Sequence, residues 1–389
     1  MIKTNKTQSK ILVTGGRFNP STSVIRALHA AGARVDASDP WKLSPALHSN
    51  AVDVLHATPS PSKEPIAFTK TVAEIVRERQ IDMIIPTFEE GFFLSRYVEL
   101  LPVKLFAPSF NTLEKLHNKY RFSQLCYELG ISIPETYAAT DQNELHENIK
   151  KFDRYVARPS FSRGGVEFLT NFGPRAGEFS IDDCTPTSDN PWLVQPYLEG
   201  EDACSFSIVQ DGEVLVHCAY KPTIPSIGGW SVQFTSVEDF GSFDVASKFA
   251  KKFNITGFIS FDYRQTKDCL MLIECNPRLS AGGFLTPLDW ISEALLNKSH
   301  KIRIVEPGRA AQYDPYLIDP HFVNIPPKKL LRELLTKPDA LMKPDDVLPG
   351  IYFFITRRHF SSIAKKEHVS FCHAIYEDNT WNGSLLPEL

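Results

Sequence analysis

Strand-like and helix-like stretches alternate over the first 110 residues. Short apolar runs typical of buried strands lie at residues 11–16, 33–36, 81–86 and 103–108, and helical spacing of apolar residues lies at 21–31 and 68–79. Because parallel strands need a crossover that a helix usually supplies, this order predicts a parallel α/β sheet.

After a predicted helical stretch at residues 113–130, the pattern in the middle of the chain is mainly that of strands. Strand patterns follow at 192–195, 205–209 and 214–220, and a helix is predicted at 243–253. Runs of strands of this kind are typical of α+β architecture. The predicted fold class is therefore α/β followed by α+β.

A hairpin is predicted between residues 255 and 276. A strand at 255–263 leads through the polar residues 264–268 into an apolar run at 270–273. Side chains two positions apart on a strand share a face, so Glu274 and Asn276 project together. The hairpin places Asp262 opposite Glu274, and Ser260, on the same face, remains an alternative. Carboxylate and amide oxygens are ligands that suit Mg²⁺ carrying phosphates.

The last part of the chain carries weaker patterns. A short basic helix is predicted at 328–335, a strand at 348–356, and a helix or strand at 369–376. We divide the chain into an N-terminal α/β domain (1–110), a central domain (111–295) and a small C-terminal extension (296–389). From its position, the extension is interpreted as completing the substrate side.

The composition argues against a nucleic-acid or membrane partner and against a zinc site. The 389 residues are 42% hydrophobic and 23% charged, as in ordinary soluble proteins, and the net charge of -4 gives no electrostatic reason to expect nucleic acid or a membrane as partner. The seven cysteines show no CxxC pair and no zinc spacing, and the histidines form no HxxxH pair. Reduced thiols and a polar start without an apolar segment favour a cytoplasmic protein.

Two features of the N-terminal domain bear on ligands. The turn at Gly15 and Gly16 continues into Arg17 and Phe18 without a GxGxxG pattern, which argues against NAD. Glu89 and Glu90 follow the strand that ends near residue 86, so they are placed to meet a substrate at the strand ends. The alternative is that both are solvated acids at a helix start.

Four short segments occur in a characteristic order along residues 10–290. They are Asn-Lys-Tyr-Arg-Phe at 118–122, Arg-Pro-Ser-Phe-Ser-Arg-Gly-Gly at 158–165, Gln-Pro-Tyr-Leu-Glu-Gly-Glu at 195–201 and Glu-Cys-Asn-Pro-Arg at 274–278. Together they resemble the ATP-grasp superfamily, in particular its carbamoyl-phosphate-synthase and carboxylate–amine ligase branch. The resemblance implies that the central domain (111–295) is an ATP-grasp fold of two lobes with the nucleotide between them. Three departures from that family are Arg158 in place of the commoner Lys, Gln195 in place of Glu, and two glycines in a loop that often has four.

The resemblance implies a set of site residues. Arg278 is implied as the catalytic residue that stabilises a phosphorylated intermediate. Two Mg²⁺ ions, with Mn²⁺ as an alternative, are implied at Asp262, Glu274 and Asn276. The implied ATP ligands are Lys119, Arg158, Arg163, Gly164, Gly165, Gln195, Tyr197, Leu198 and Glu201.

The resemblance also implies a reaction. It is the ATP-dependent phosphorylation of a carboxylate to an acyl phosphate, which an amine then attacks, with release of ADP and phosphate. The alternatives are an ATP-binding module without turnover and a carboxylase-like or kinase-like use of the same site. The expected partners are small-molecule carboxylates and amines and, for the chain itself, a homodimer; a full carbamoyl-phosphate synthase would need two such units and a longer chain.

Overall fold

The computed structural model of the protein describes residues 8–162, 167–226 and 230–389. Within these residues the strands form three sheets, of five, seven and four strands. None of the helices in the described part combines the length and the hydropathy that crossing a bilayer requires.

The first sheet is parallel and has the order β3-β2-β1-β4-β5. Its strands alternate with helices, which confirms the predicted α/β pattern. The elements are β1 (Lys10–Thr14), α1 (Ser21–Ala30), β2 (Arg34–Asp39), β3 (Val54–Ala57), α2 (Pro65–Arg79), β4 (Met83–Pro86), α3 (Glu90–Arg96) and β5 (Lys104–Leu105).

The helical stretch predicted at 113–130 consists of two helices, α4 (Phe110–His117) and α5 (Lys119–Glu128). The break is at Asn118, whose extended backbone cannot continue α4 and whose side-chain oxygen accepts from the backbone N–H of Arg121. This is a helix N-cap, because it satisfies one of the donors that the first turn leaves unpaired. The break places Lys119 at the very start of α5.

The four-stranded sheet is antiparallel, in the order β6-β9-β7-β8. One helix packs against it around a core that contains Trp192 and Leu145. The elements are β6 (Tyr137–Ala139), α6 (Gln142–Ile149), β7 (Tyr155–Pro159), β8 (Leu169–Thr170) and β9 (Trp192–Pro196).

The seven-stranded sheet runs in the order β14-β13-β10-β11-β12-β16, with β15 beside β11. One face packs on α5 and α7, and the other shares a core with α1 and the N-terminal sheet. The elements are β10 (Glu201–Gln210), β11 (Glu213–Pro225), β12 (Ser231–Ser236), α7 (Ser242–Phe253), β13 (Gly257–Gln265), β14 (Leu270–Asn276), α8 (Gly282–Leu285), α9 (Leu288–Leu295), β15 (Arg303–Ile304) and β16 (Ala310–Gln312).

The strand predicted at 348–356 is wrong, because these residues begin a 20-residue helix. The buried side chains Phe353, Phe360 and Ala364 recur at helical spacing, whereas Ile351 and Ile355 are exposed. The unbroken apolar run at 351–355 hid this periodicity. The C-terminal helices are α10 (Asp314–Leu317), α11 (Pro327–Thr336), α12 (Leu348–Glu367) and α13 (Phe371–Tyr376).

The C-terminal extension packs on the N-terminal sheet domain. Trp381 is buried, and its ring centroid lies 5.4 Å from that of Phe92 and 5.1 Å from that of Phe161. Arg17 is buried between Asp39 and Asp378, with an ion-pair distance of 2.8 Å to each. The end of the chain is thereby held against the loop that follows β1.

Candidate functional site

The β13–β14 hairpin brings the predicted metal ligands together. Asp262 is the register partner of Glu274, and Ser260 is the partner of Asn276, so the predicted register is confirmed. The Asn276 Nδ2 donates to Asp262 Oδ2 at 2.9 Å and lies 3.4 Å from Glu274 Oε1. The Ser260 hydroxyl donates to the backbone oxygen of Arg278 at 3.0 Å. Ser260 is thus engaged in holding the Arg278 backbone, which leaves Asp262 as the better candidate ligand.

Two cations from different segments converge on Glu274. Arg158, on β7, donates from Nη1 to Glu274 Oε2 at 2.8 Å and from Nη2 to the backbone oxygen of Ile273 at 3.2 Å. The Lys119 Nζ lies 3.6 Å from the same carboxylate oxygen and donates to the Ser162 carbonyl at 2.6 Å. The N-cap at Asn118 and the loop after β7 therefore place Lys119 beside Arg158.

The two carboxylates of the hairpin are held in different electrostatic environments. Burial by itself would raise the pKa of Glu274, but the positive charges of Lys119 and Arg158 hold it well below its usual range. Burial, together with the facing Glu274, raises the pKa of Asp262. The site therefore retains a firm negative charge on Glu274, and a bound cation would favour ionisation of Asp262.

Arg278 lies at the end of β14, between the metal-ligand candidates and two aromatic rings. Its guanidinium carbon is 4.8 Å from the ring centroid of Phe88 and 5.4 Å from that of Phe18. Its Nη2 donates to Asn276 Oδ1 at 3.3 Å, and its buried Nε has no hydrogen-bond partner among the described residues. The Glu89 carboxylate, 3.9 Å from this Nε, is too distant to accept a hydrogen bond from it, so a ligand oxygen that accepts from Nε would be favourable here.

Glu89 and Glu90 have different surroundings, although both are buried. The Glu89 Oε2 accepts from the backbone N–H of Trp381 at 3.2 Å, and its Oε1 lies 3.9 Å from Arg278 Nε. The Glu90 carboxylate accepts from Thr14 Oγ1 at 2.7 Å and from the backbone N–H of Thr87 at 2.9 Å. Neither carboxylate is among the described residues that line the cleft. Glu90 therefore holds two strand ends together, and Glu89 orients Arg278.

A cleft of about 770 Å³ runs between the four-stranded and seven-stranded sheets. Lys119, Arg158 and the face of the β13–β14 hairpin lie in its wall. Gln195, Tyr197 and Leu198 line one end, where Gln195 Nε2 donates to Thr136 Oγ1 at 2.8 Å. That bond engages the donor group of the amide, and its Oε1 keeps acceptor capacity for a ligand.

The structure does not bring Glu201 to the cleft. Its side chain is 75% exposed and pairs with Lys221 at 2.8 Å. The neighbouring Asp202 lines the cleft and pairs with Arg264, whose Nε also donates to the Leu198 carbonyl at 3.1 Å. Side chains alternate along a strand, so this one-residue difference reverses the face. The sequence analysis did not predict Asp202 or Arg264 as cleft residues, because neither is a motif position of the family.

The predicted loop residues Arg163, Gly164 and Gly165 lie outside the described residues. Within the described part of the chain, no group of three or more His, Cys, Asp or Glu side chains is placed to hold a metal ion. Mg²⁺ characteristically uses only one or two carboxylates and completes its shell with water and phosphate oxygens. The Asp262, Glu274 and Asn276 set fits that requirement.

Comparison with known proteins confirms the family resemblance. Residues 116–282 match the model of the ATP-grasp domain. Over 222 residues the chain is 25% identical to the carbamoyl phosphate synthase large chain of Rubrobacter xylanophilus, a match that covers 54% of this chain and 21% of that protein. The chain thus aligns with about a fifth of the length of the curated relatives it matches.

Solved structures show the same fold. The dimeric biotin carboxylase domain of Hydrogenobacter thermophilus 2-oxoglutarate carboxylase, solved with MgADP, ADP and bicarbonate, has a TM-score of 0.58 at 15% identity and covers 74% of this chain and 69% of its own. The L-amino acid ligase of Bacillus licheniformis has a TM-score of 0.56 at 14% identity, with 75% and 74% covered. The predicted fold class is confirmed.

The role assigned to Glu90 predicts a pH-dependent difference in stability. Burial raises the Glu90 pKa above its ordinary value, so between the unfolded and folded pKa values the folded protein binds more protons than the unfolded chain. The contribution of Glu90 to stability is therefore present at low pH and lost as pH rises. We expect Glu90→Gln to become more stable relative to wild type as pH rises from 5 to 8, measured as the free energy of unfolding in urea.

The exposed Glu74→Gln on α2 is the matched control for loss of one carboxylate, and its difference from wild type should stay constant over the same range. A constant difference for Glu90→Gln as well would show that the Glu90 carboxylate is not buried as described.

Proposed function

We infer, from a chain whose residues 116–282 match the ATP-grasp domain, that this protein is an ATP- and Mg²⁺-dependent carboxylate–amine ligase. It phosphorylates a carboxylate to an acyl phosphate and couples it to an amine, releasing ADP and phosphate. One observation carries the proposal. Lys119 and Arg158 converge on Glu274, on the strand that leads into Arg278, inside a single cleft.

The nucleotide is assigned along the length of the cleft. Adenine lies at the end formed by Gln195, Tyr197 and Leu198, where apolar side chains and the segment after β9 surround it. We assign the ribose hydroxyls to Asp202 in place of Glu201, because Asp202 is the acid that lines the cleft.

The phosphates are assigned to two fixed cations. Lys119 and Arg158 supply positive charge from separate segments, so a chain of phosphates can lie across both. The loop with Arg163, Gly164 and Gly165 is proposed to add backbone N–H groups and one further charge, since glycine permits close approach to phosphate.

The metal site is assigned to the hairpin face. Asp262, Glu274 and Asn276 would hold two Mg²⁺ ions, or Mn²⁺ in their place, and a bound ion would neutralise charge on the transferring phosphoryl group. With an ion bound, Glu274 would pair less closely with Lys119 and Arg158. Both of these cations would then be available to pair with phosphate.

The proposed reaction has two steps, as the resemblance to the ATP-grasp family implies, and Arg278 is assigned a role in both. A substrate carboxylate oxygen attacks the γ-phosphorus, the bond from that phosphorus to the bridging oxygen of ADP breaks, and the acyl phosphate forms. The amine nitrogen then attacks the carbonyl carbon, phosphate leaves, and the nitrogen loses a proton. Arg278 holds the carboxylate and then the acyl phosphate, and Glu89 orients its guanidinium.

The assignment of phosphate to Lys119 and Arg158 predicts selective losses of affinity. Lys119→Ala and Arg158→Ala should each weaken ATP binding by about 1.5–3 kcal/mol, the range for a hydrogen bond to a charged group. Binding of adenosine, which has no phosphate, should change little. Titration calorimetry of both ligands measures the difference.

Lys150→Ala is the control, since this exposed lysine pairs with Glu147 on the surface. Losses of equal size for ATP and adenosine would contradict the phosphate assignment.

The proposed reaction is tested by trapping its intermediate. With ATP, Mg²⁺, a panel of carboxylates and hydroxylamine in place of the amine, we expect ADP, phosphate and a hydroxamate in equal amounts. Arg278→Ala should lose hydroxamate formation far more than ATP affinity, because Arg278 is assigned to the substrate carboxylate and the acyl phosphate and not to ATP. AMP and pyrophosphate as the main products would mean that the protein adenylates its substrate, and the proposal would be wrong.

A further inference from the structure

One end of the cleft is lined by aromatic side chains. It adjoins Arg278, whose guanidinium carbon is 5.4 Å from the ring centroid of Phe18. Its rings come from the loop after β1, from the seven-stranded sheet and from the C-terminal extension. We call the following six the aromatic wall: Phe18, Trp230, Tyr313, Tyr316, Phe371 and Tyr376.

The rings of the aromatic wall contact one another. The ring centroids of Trp230 and Tyr316 are 4.5 Å apart at 68°, and those of Tyr316 and Phe371 are 6.4 Å apart at 81°. Phe18 and Tyr376 are 6.3 Å apart at 71°. Edge-to-face packing of this kind stabilises each ring in place. The wall therefore exists before a ligand arrives.

The wall carries no charge apart from Arg278 at its edge. The other charged side chains that line the described part of the cleft come from segments that contribute no ring to the wall: Lys119, Arg158, Glu167, Arg175, Asp202, Asp262, Arg264 and Glu274. Burial raises the pKa of Tyr316 and of Tyr376, so both phenols are neutral at pH 7. A ligand with a charged body would lose water here without gaining an ionic partner, which is unfavourable.

Arg278, which we assign to the substrate carboxylate that attacks the γ-phosphate, lies beside this wall. Its guanidinium lies over the rings of Phe18 and Phe88, and Phe88 is 4.8 Å from Tyr376. A carboxylate paired with Arg278 therefore has aromatic surface next to it. The remainder of the same molecule is directed onto the wall.

We propose that the acid activated by this protein has an uncharged, apolar body of aromatic size, which packs against Trp230, Tyr316 and Phe371 while its carboxylate pairs with Arg278. This assignment of substrate class rests on the proposed ligase function. It selects against dicarboxylates and against basic amino acids.

The test uses the full chain and four probe acids in the hydroxylamine assay. The apolar probes, whose only charge is the carboxylate, are 3-phenylpropanoate and 4-phenylbutanoate, and the acidic probes are succinate and L-glutamate. We expect kcat/KM for hydroxamate formation to be at least about tenfold higher with an apolar probe, in line with the discrimination that a hydrophobic pocket provides. A preference for succinate or L-glutamate would overturn the assignment.

Two variants connect that preference to the wall. Trp230→Ala and, as a second independent change, Phe371→Ala should each raise KM for the preferred apolar probe about tenfold or more and leave KM for ATP unchanged. Tyr127→Ala, which removes a 60% exposed ring on α5, is the matched control and should change neither value. Unchanged KM for the acid in both wall variants would overturn the proposal.

Failure of this proposal is distinguishable from failure of the ligase function. If acidic probes give hydroxamate and ADP, the ligase function stands and the substrate class is wrong. If no probe reacts, binding of 3-phenylpropanoate is measured by titration calorimetry in the presence of ADP and Mg²⁺. Binding that Trp230→Ala and Phe371→Ala both weaken supports the wall, and absence of binding overturns it.

Discussion

The pairing of Glu274 with Lys119 and Arg158 is the interaction on which this site depends. The three side chains are 22%, 6% and 14% exposed, so their charges are largely removed from water. Two cations around one carboxylate leave a surplus of positive charge, and burying charge is costly unless each group has partners. The site lowers that cost through Glu274 and through the Ser162 and Ile273 carbonyls. A polyphosphate could pair with the same two cations, which is why the arrangement suits a nucleotide.

The surrounding fold holds these three charged side chains and Arg278 in fixed positions relative to one another. The Asn118 cap starts a helix at Lys119, while the hairpin fixes Glu274 opposite Asp262. On the far side, the C-terminal tail contacts Glu89 through Trp381, and Glu89 faces Arg278. Glu89 therefore connects the C-terminal tail to the residue that we assign to the acyl phosphate.

Local sequence patterns predicted the parts of the site that depend on short-range geometry. The strand period of two and a polar turn were sufficient to pair Asp262 with Glu274, since hairpin register depends on nearby residues alone. The family resemblance predicts Glu201 at the cleft, whereas Asp202 lines it, because nothing in the local sequence shows that Glu201 pairs with Lys221 outside the cleft. Helix α12 was mistaken for a strand where five apolar residues concealed its buried face. The aromatic wall was not predicted, because its rings come from segments far apart in sequence.

One measurement tests the shared role of Glu274 most directly. The affinity of ATP is measured with excess Mg²⁺ and again with a chelator, for wild type and for Glu274→Gln. If Glu274 is both the counter-ion of Lys119 and Arg158 and a ligand of the metal, wild type binds ATP more tightly with Mg²⁺. The variant should lose that advantage while binding metal-free ATP at least as well as wild type, because the competitor for both cations is gone. An equal Mg²⁺ advantage in both proteins would contradict this account.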